Sequence, residues 1–144
     1  MNDTEKLYKY IYKISQMGMG ATATILSVYD KTALSAELSA QNNEYRMIFV
    51  DAKKALIGMD NCLCKLGLSP REKVTSCCMI KMNLMMNKTD SRIAQMIIEG
   101  CTMGIVEALK AKKRCANASD ASLTLAGKLI DYQTGTIERM KEFL

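Results

Sequence analysis

The only proline of this 144-residue chain, Pro70, sits in the stretch Gly67-Leu68-Ser69-Pro70, and that stretch organises everything around it. Glycine after a helical run accepts the left-handed backbone that stops a helix. Proline suits the first turn of the next helix, where its missing N–H had no partner to lose. Ser69 and Glu72 have the spacing of a capping box, in which each side chain satisfies an orphan backbone donor. The sequence therefore predicts one helix ending at Leu66 and another beginning at Pro70. On each side of this joint the apolar pattern reads as a helical hairpin.

The first helix is expected from about Thr4 to Tyr29, capped by Asp3 or Thr4, with Leu7, Ile11, Ile14, Gly18 and Ile25 on one face. Within it, Met17-Gly18-Met19-Gly20-Ala21 is small enough to admit a neighbouring helix closely, a local bend being the other reading. The second helix is expected from Leu34 to Leu66, with a buried stripe through Leu38, Tyr45, Ile48, Ala52 and Leu56. Asn42-Asn43 predicts a kink or a surface position. A helix this long would span about 50 Å, so a break near Gly58 is expected. From Pro70 to Asn87 the apolar face holds Val74, Cys78, Met79, Met82, Met85 and Met86. A further helix from Ser91 to Arg114 runs through Ile93, Ile97, Met103, Val106 and Leu109 and closes on Lys112-Lys113-Arg114, cations suited to the negative end of a helix dipole. The last helix carries Leu123, Ala126, Leu129, Ile137 and Met140.

Composition agrees with an all-α fold. Hydrophobic residues make up 49% of the chain, with 12 methionines, two phenylalanines and no tryptophan. Histidine is absent, which removes the commonest general base and metal ligand and excludes Ser-His or Cys-His catalysis within the chain. A net charge of +5 permits an acidic partner without requiring one, and the single basic run lacks the interleaved aromatics of a nucleic-acid surface, so no nucleic-acid partner is expected. No apolar stretch approaches the roughly 20 residues that span a bilayer, and the alternation of charged and apolar residues from Met1 to Gln16 gives no expectation of a signal peptide. A cytoplasmic protein with reduced thiols is expected.

Met17-Gly18-Met19 in the first helix is echoed by Met103-Gly104-Ile105 in the helix that follows Asp90. Two hairpins, 1–66 and 90–144, joined through 67–89 by a joint and connector helix, give a single domain with one long crossover. With Glu99-Gly100-Cys101-Thr102-Met103-Gly104-Ile105 and the closing Ile137-Glu138-Arg139-Met140-Lys141-Glu142-Phe143-Leu144, the chain resembles the ferritin-like superfamily, in particular its small bacterial four-helix bundles. A weaker resemblance is to spore-coat-like helical bundles. The resemblance implies a di-metal centre built from one glutamate on each of two helices and Glu-x-x-His on the other two. This sequence departs from that set. The first helix has no acidic residue between Glu5 and Asp30, and no histidine follows Glu37, Glu44, Asp51 or Glu138. Glu99 and Glu107 remain, about 12 Å apart along their helix. The expectation is a ferritin-like four-helix bundle with an additional connector helix and without cofactor or metal.

The remaining constellation is thiol-based. Cys62, Cys64, Cys77 and Cys78 flank the joint, and a hairpin there would bring four soft ligands together, although structural zinc sites favour Cys-x(2–4)-Cys spacing. The leading expectation is a non-catalytic structural or protein-interaction bundle, a homodimer or the partner of another helical protein, using Met79, Met82 and Met86. The alternatives are a thiol metal-binding or redox protein and a divergent ferritin-like metal protein. Elemental analysis of protein purified without oxygen or chelator separates them. Near-stoichiometric zinc or iron, lowered by Cys77→Ser, is the result the thiol alternative predicts, and metal-free protein is what the scaffold predicts.

Overall fold

Side chains that stand in for missing backbone partners set where the helices begin. Asn2 accepts from the Glu5 N–H at 2.8 Å, Thr89 from Arg92 at 3.1 Å and Ser119 from Ser122 at 3.3 Å. The first cap thus falls at Asn2, one residue before Asp3 and two before Thr4, the two caps expected. In the computed structural model, which describes residues 1–29, 33–59 and 89–144, four helices follow. They are α1 (Asp3–Val28), α2 (Ala33–Gly58), α3 (Asp90–Arg114) and α4 (Asp120–Met140), closed by a 3-10 turn at Lys141–Phe143. Among the described residues there is no strand. Acidic first turns at Asp3, Glu5, Asp90 and Asp120, and the basic last turn of α3, match the helix dipoles.

α2 ends at Gly58, and Met59 N–H closes a turn on the Leu56 carbonyl at 3.1 Å. The expected break near Gly58 is where the described helix stops; residues 60–66, assigned to the same helix from sequence, lie outside the described residues, as does the connector helix from Pro70 to Asn87. α2 runs through Asn42-Asn43 without interruption. Asn43 is exposed, while the Asn42 carboxamide donates to the Met19 carbonyl at 3.0 Å and to Thr22 Oγ1 at 2.8 Å. A poor helix former is held there because its side chain ties α2 to α1.

Two apolar clusters give the helix directions. One gathers Leu7 and Ile11 of α1, Ile48 and Leu56 of α2, Ala111 of α3 and Leu125 and Leu129 of α4. The other gathers Ile25, Leu34, Leu38, Ile93, Ile97 and Met140. Hence α1 and α4 point one way, and α2 and α3 the other. Polar contacts pin both ends. Asn117 N–H donates to Asp3 at 3.3 Å and Ser119 N–H to Thr4 Oγ1 at 2.8 Å at the first, and the Tyr29 hydroxyl bonds the Asp90 carboxylate at the second. α1 packs on α2 and α3 on α4, while α4 also touches α2 and α1. Because α2 and α3 run parallel, Met59 and Thr89 lie at opposite ends of the bundle. A helix of 26 residues sets that separation at about 39 Å.

The close approach predicted at Met17-Gly18-Met19 is made by Gly18, where an added Cβ would lie 2.6 Å from the Tyr45 ring. Gly20, two residues on, faces open space. Gly18→Ala is expected to cost about 1–3 kcal/mol through overpacking. Gly20→Ala is expected to stabilise by about 0.5–1 kcal/mol, as alanine replaces glycine in an open helix interior. Urea titrations of the pair check this, and equal effects at both positions would contradict it.

Candidate functional site

The inward stripe of α2 contains two polar residues one turn apart, Gln41 and Tyr45, which therefore share a face. Cys101 comes from α3 and Gln133 from α4. All four are buried, with Gln41, Cys101 and Gln133 each 3% exposed, and they form a polar layer between the two apolar clusters. Each echoed Met-Gly pair makes room for one of them. Gly18 leaves space for the Tyr45 ring, and Gly104 leaves space for the Gln133 carboxamide, which a Cβ would strike. The sequence repeat therefore has a physical content. In each hairpin, one helix supplies the gap and its neighbour fills it with a polar side chain.

The two fillings meet. Gln133 Nε2 donates to the Tyr45 hydroxyl at 3.4 Å, and Gln41 Nε2 donates to Cys101 Sγ at 3.5 Å. The carboxamide oxygens Gln41 Oε1 and Gln133 Oε1 are buried without a hydrogen-bond partner among the described residues. Each such oxygen costs about 1–3 kcal/mol relative to a satisfied one. Burial pushes the Cys101 thiol up to about 11, and burial likewise raises the Tyr45 phenol well above its ordinary value. At neutral pH the layer is therefore uncharged, and its thiol is neither a nucleophile nor a thiolate ligand.

The acidic residues considered as ferritin-like ligands are engaged elsewhere, although Glu44 and Arg139 lie near enough to act on the Cys101 thiol. Glu37 and Glu44 reach Arg139 of α4, at 3.0 Å and 3.4 Å. Partial burial raises the Glu44 carboxyl, and Arg139 opposes that shift. Glu99 accepts from Gln95 at 2.9 Å on the surface. Exposed Glu107 pairs with Lys110 at 2.8 Å, and that hydrogen bond holds its carboxyl below the usual range. Asp51 is exposed, and Glu138 pairs with Lys141 at 2.7 Å. Among the described residues no group of three or more His, Cys, Asp or Glu side chains could hold a metal ion. Cys62, Cys64, Cys77 and Cys78, and Met79, Met82 and Met86, lie outside the described residues. Cys101 and Cys115 are free, buried thiols.

α3 departs from its expected apolar stripe. Ile93 and Ile97 are buried, but Met103 is 71%, Val106 46% and Leu109 51% exposed. The inward positions of that half go to Cys101, Ala108 and Ala111, small side chains that bring α3 close to its neighbours. Gln41 and Gln133 were missed in the sequence. The signal for Gln41 was its place in the run Leu34, Leu38, Gln41, Tyr45, Ile48, Ala52, whose alternating spacing of four and three fixes it inside. No family model matches the chain, and no curated protein or solved structure matches it.

The layer predicts a pH dependence. The folded Cys101 thiol sits near 11, above its ordinary 9.0, so its contribution is whole below about pH 9 and is lost as pH rises towards 11. Unfolding free energy should fall in that window by up to about 1.4 kcal/mol per pH unit for this group. Cys101→Ala should flatten the fall, measured by urea midpoints across the window. An identical slope in the variant would contradict it.

Proposed function

We propose that the chain is a ferritin-like bundle without a metal centre, which works through protein contacts as a structural or interaction module and associates with itself. The parallel course of α2 and α3, which demands one long crossover, supports the ferritin-like reading. A central layer of glutamine, tyrosine and cysteine, where that fold family has its carboxylates and histidines, supports a packed scaffold over a reaction centre. The observation that carries the reading is on the surface. Large apolar side chains stand out on two helices, Met47 at 55% and Ile57 at 54% on α2, and Met103 at 71% and Leu109 at 51% on α3. Single exposed apolar residues are ordinary, whereas grouped ones mark contact surfaces. No helix among the described residues is long and apolar enough to cross a membrane. The buried free thiols Cys101 and Cys115 suit a reducing compartment such as the cytoplasm.

The test is the solution mass of the full chain over a range of concentrations, with helix content followed by circular dichroism. Self-association is the expected result for the natural sequence. The sequence-based assignment of Met79, Met82 and Met86 to the contact predicts that Met79→Lys with Met82→Lys weakens association at unchanged helix content. An unaltered mass would remove those residues from the contact.

A further inference from the structure

The outward face of α3 has an order along its axis that a second copy of the same helix would match. Glu99, Thr102, Met103, Val106, Leu109 and Lys113 are all exposed. At about 100° per residue they fall within about 60° of Val106, opposite the buried Ile97, Cys101, Ala108 and Ala111. Read from the helix start, the face is acidic at Glu99, apolar in the middle and basic at Lys113. Thr102, Met103, Val106 and Glu107 also line a shallow depression of about 170 Å³. The apolar and outer charged positions of the face are symmetric about Val106, while Thr102 on one side is mirrored by Lys110, which is exposed and paired with Glu107 at 2.8 Å. Glu99 and Lys113 each lie seven residues away, about 10.5 Å along the axis, and Met103 and Leu109 each lie three away, about 4.5 Å.

We propose that two copies of the chain associate through α3, antiparallel, about a two-fold axis at Val106. This rests on the self-association reading above and names its surface. The symmetry places Glu99 of each chain opposite Lys113 of the other, and Met103 of each opposite Leu109 of the other, with Val106 meeting itself. Such a contact is isologous and closes at two copies. A parallel docking would set Glu99 against Glu99 and Lys113 against Lys113, so the charges select the antiparallel arrangement. A contact made by one helix stripe is at the small end of specific interfaces, and the dimer is accordingly concentration-dependent and salt-sensitive.

Charge reversal tests the arrangement. Sedimentation equilibrium of the full chain is compared for the natural sequence, Glu99→Lys, Lys113→Glu and the double variant, with circular dichroism confirming equal helix content. Each single variant should weaken the dimer tenfold or more. The double variant restores both pairs with their signs exchanged, and should return the dissociation constant to within about threefold of the natural one. A dimer insensitive to both single changes overturns the α3 surface and leaves self-association standing. Failure of the double variant to recover overturns the antiparallel register. A natural chain that stays monomeric at every concentration overturns self-association as well.

Discussion

The close contact between the Gly18 backbone and the Tyr45 ring is the constraint on which the rest of the bundle depends. It fixes the spacing of α1 and α2 at mid-length, and it puts a phenol at the centre, where the second hairpin must answer with something polar. Gln133 does so, and it reaches the phenol because Gly104 leaves it a channel past α3. Substituting either glycine would therefore disturb more than a local fit. The hairpins are registered against each other by the side chains that the two glycines admit.

That registration is bought with two unsatisfied carboxamide oxygens in a neutral layer, where uniform leucine packing would carry no such cost. A polar layer discriminates among alternative arrangements, because a slipped or inverted hairpin would bury four polar side chains against hydrocarbon. Asn42 and Arg139 act in the same sense nearer the surface. One ties α2 to the α1 backbone, and the other ties α4 to Glu37 and Glu44. A bundle with similar apolar stripes on every helix needs such marks to specify one topology.

Much of the architecture was legible in the sequence. Among the described residues, caps and apolar spacing placed the ends of the first and third helices and the start of the second within a residue, because both signals are local. The small segment from Met17 to Ala21 marked a close approach in the first hairpin, which Gly18 makes. The spacing could place Gln41 inside, but the polar layer was not legible, since its members come from three helices that only the fold brings together. The orientation of α3 was also hidden. Its C-terminal half carries apolar residues on both sides, and periodicity cannot tell that alanine and cysteine face inward while methionine, valine and leucine face out. Only the demand for close packing decides it.

The clamped tyrosine has a spectroscopic corollary. With no tryptophan and six tyrosines in the chain, near-ultraviolet signals arise without an indole background. Tyr45 is held in a chiral setting made by both hairpins, between the Gly18 backbone and the Gln133 carboxamide. Its aromatic dichroism is thus an intrinsic gauge of whether the hairpins are docked, separate from the far-ultraviolet signal that reports only whether each is helical. The molecule thus carries a label in the buried layer where the two halves meet.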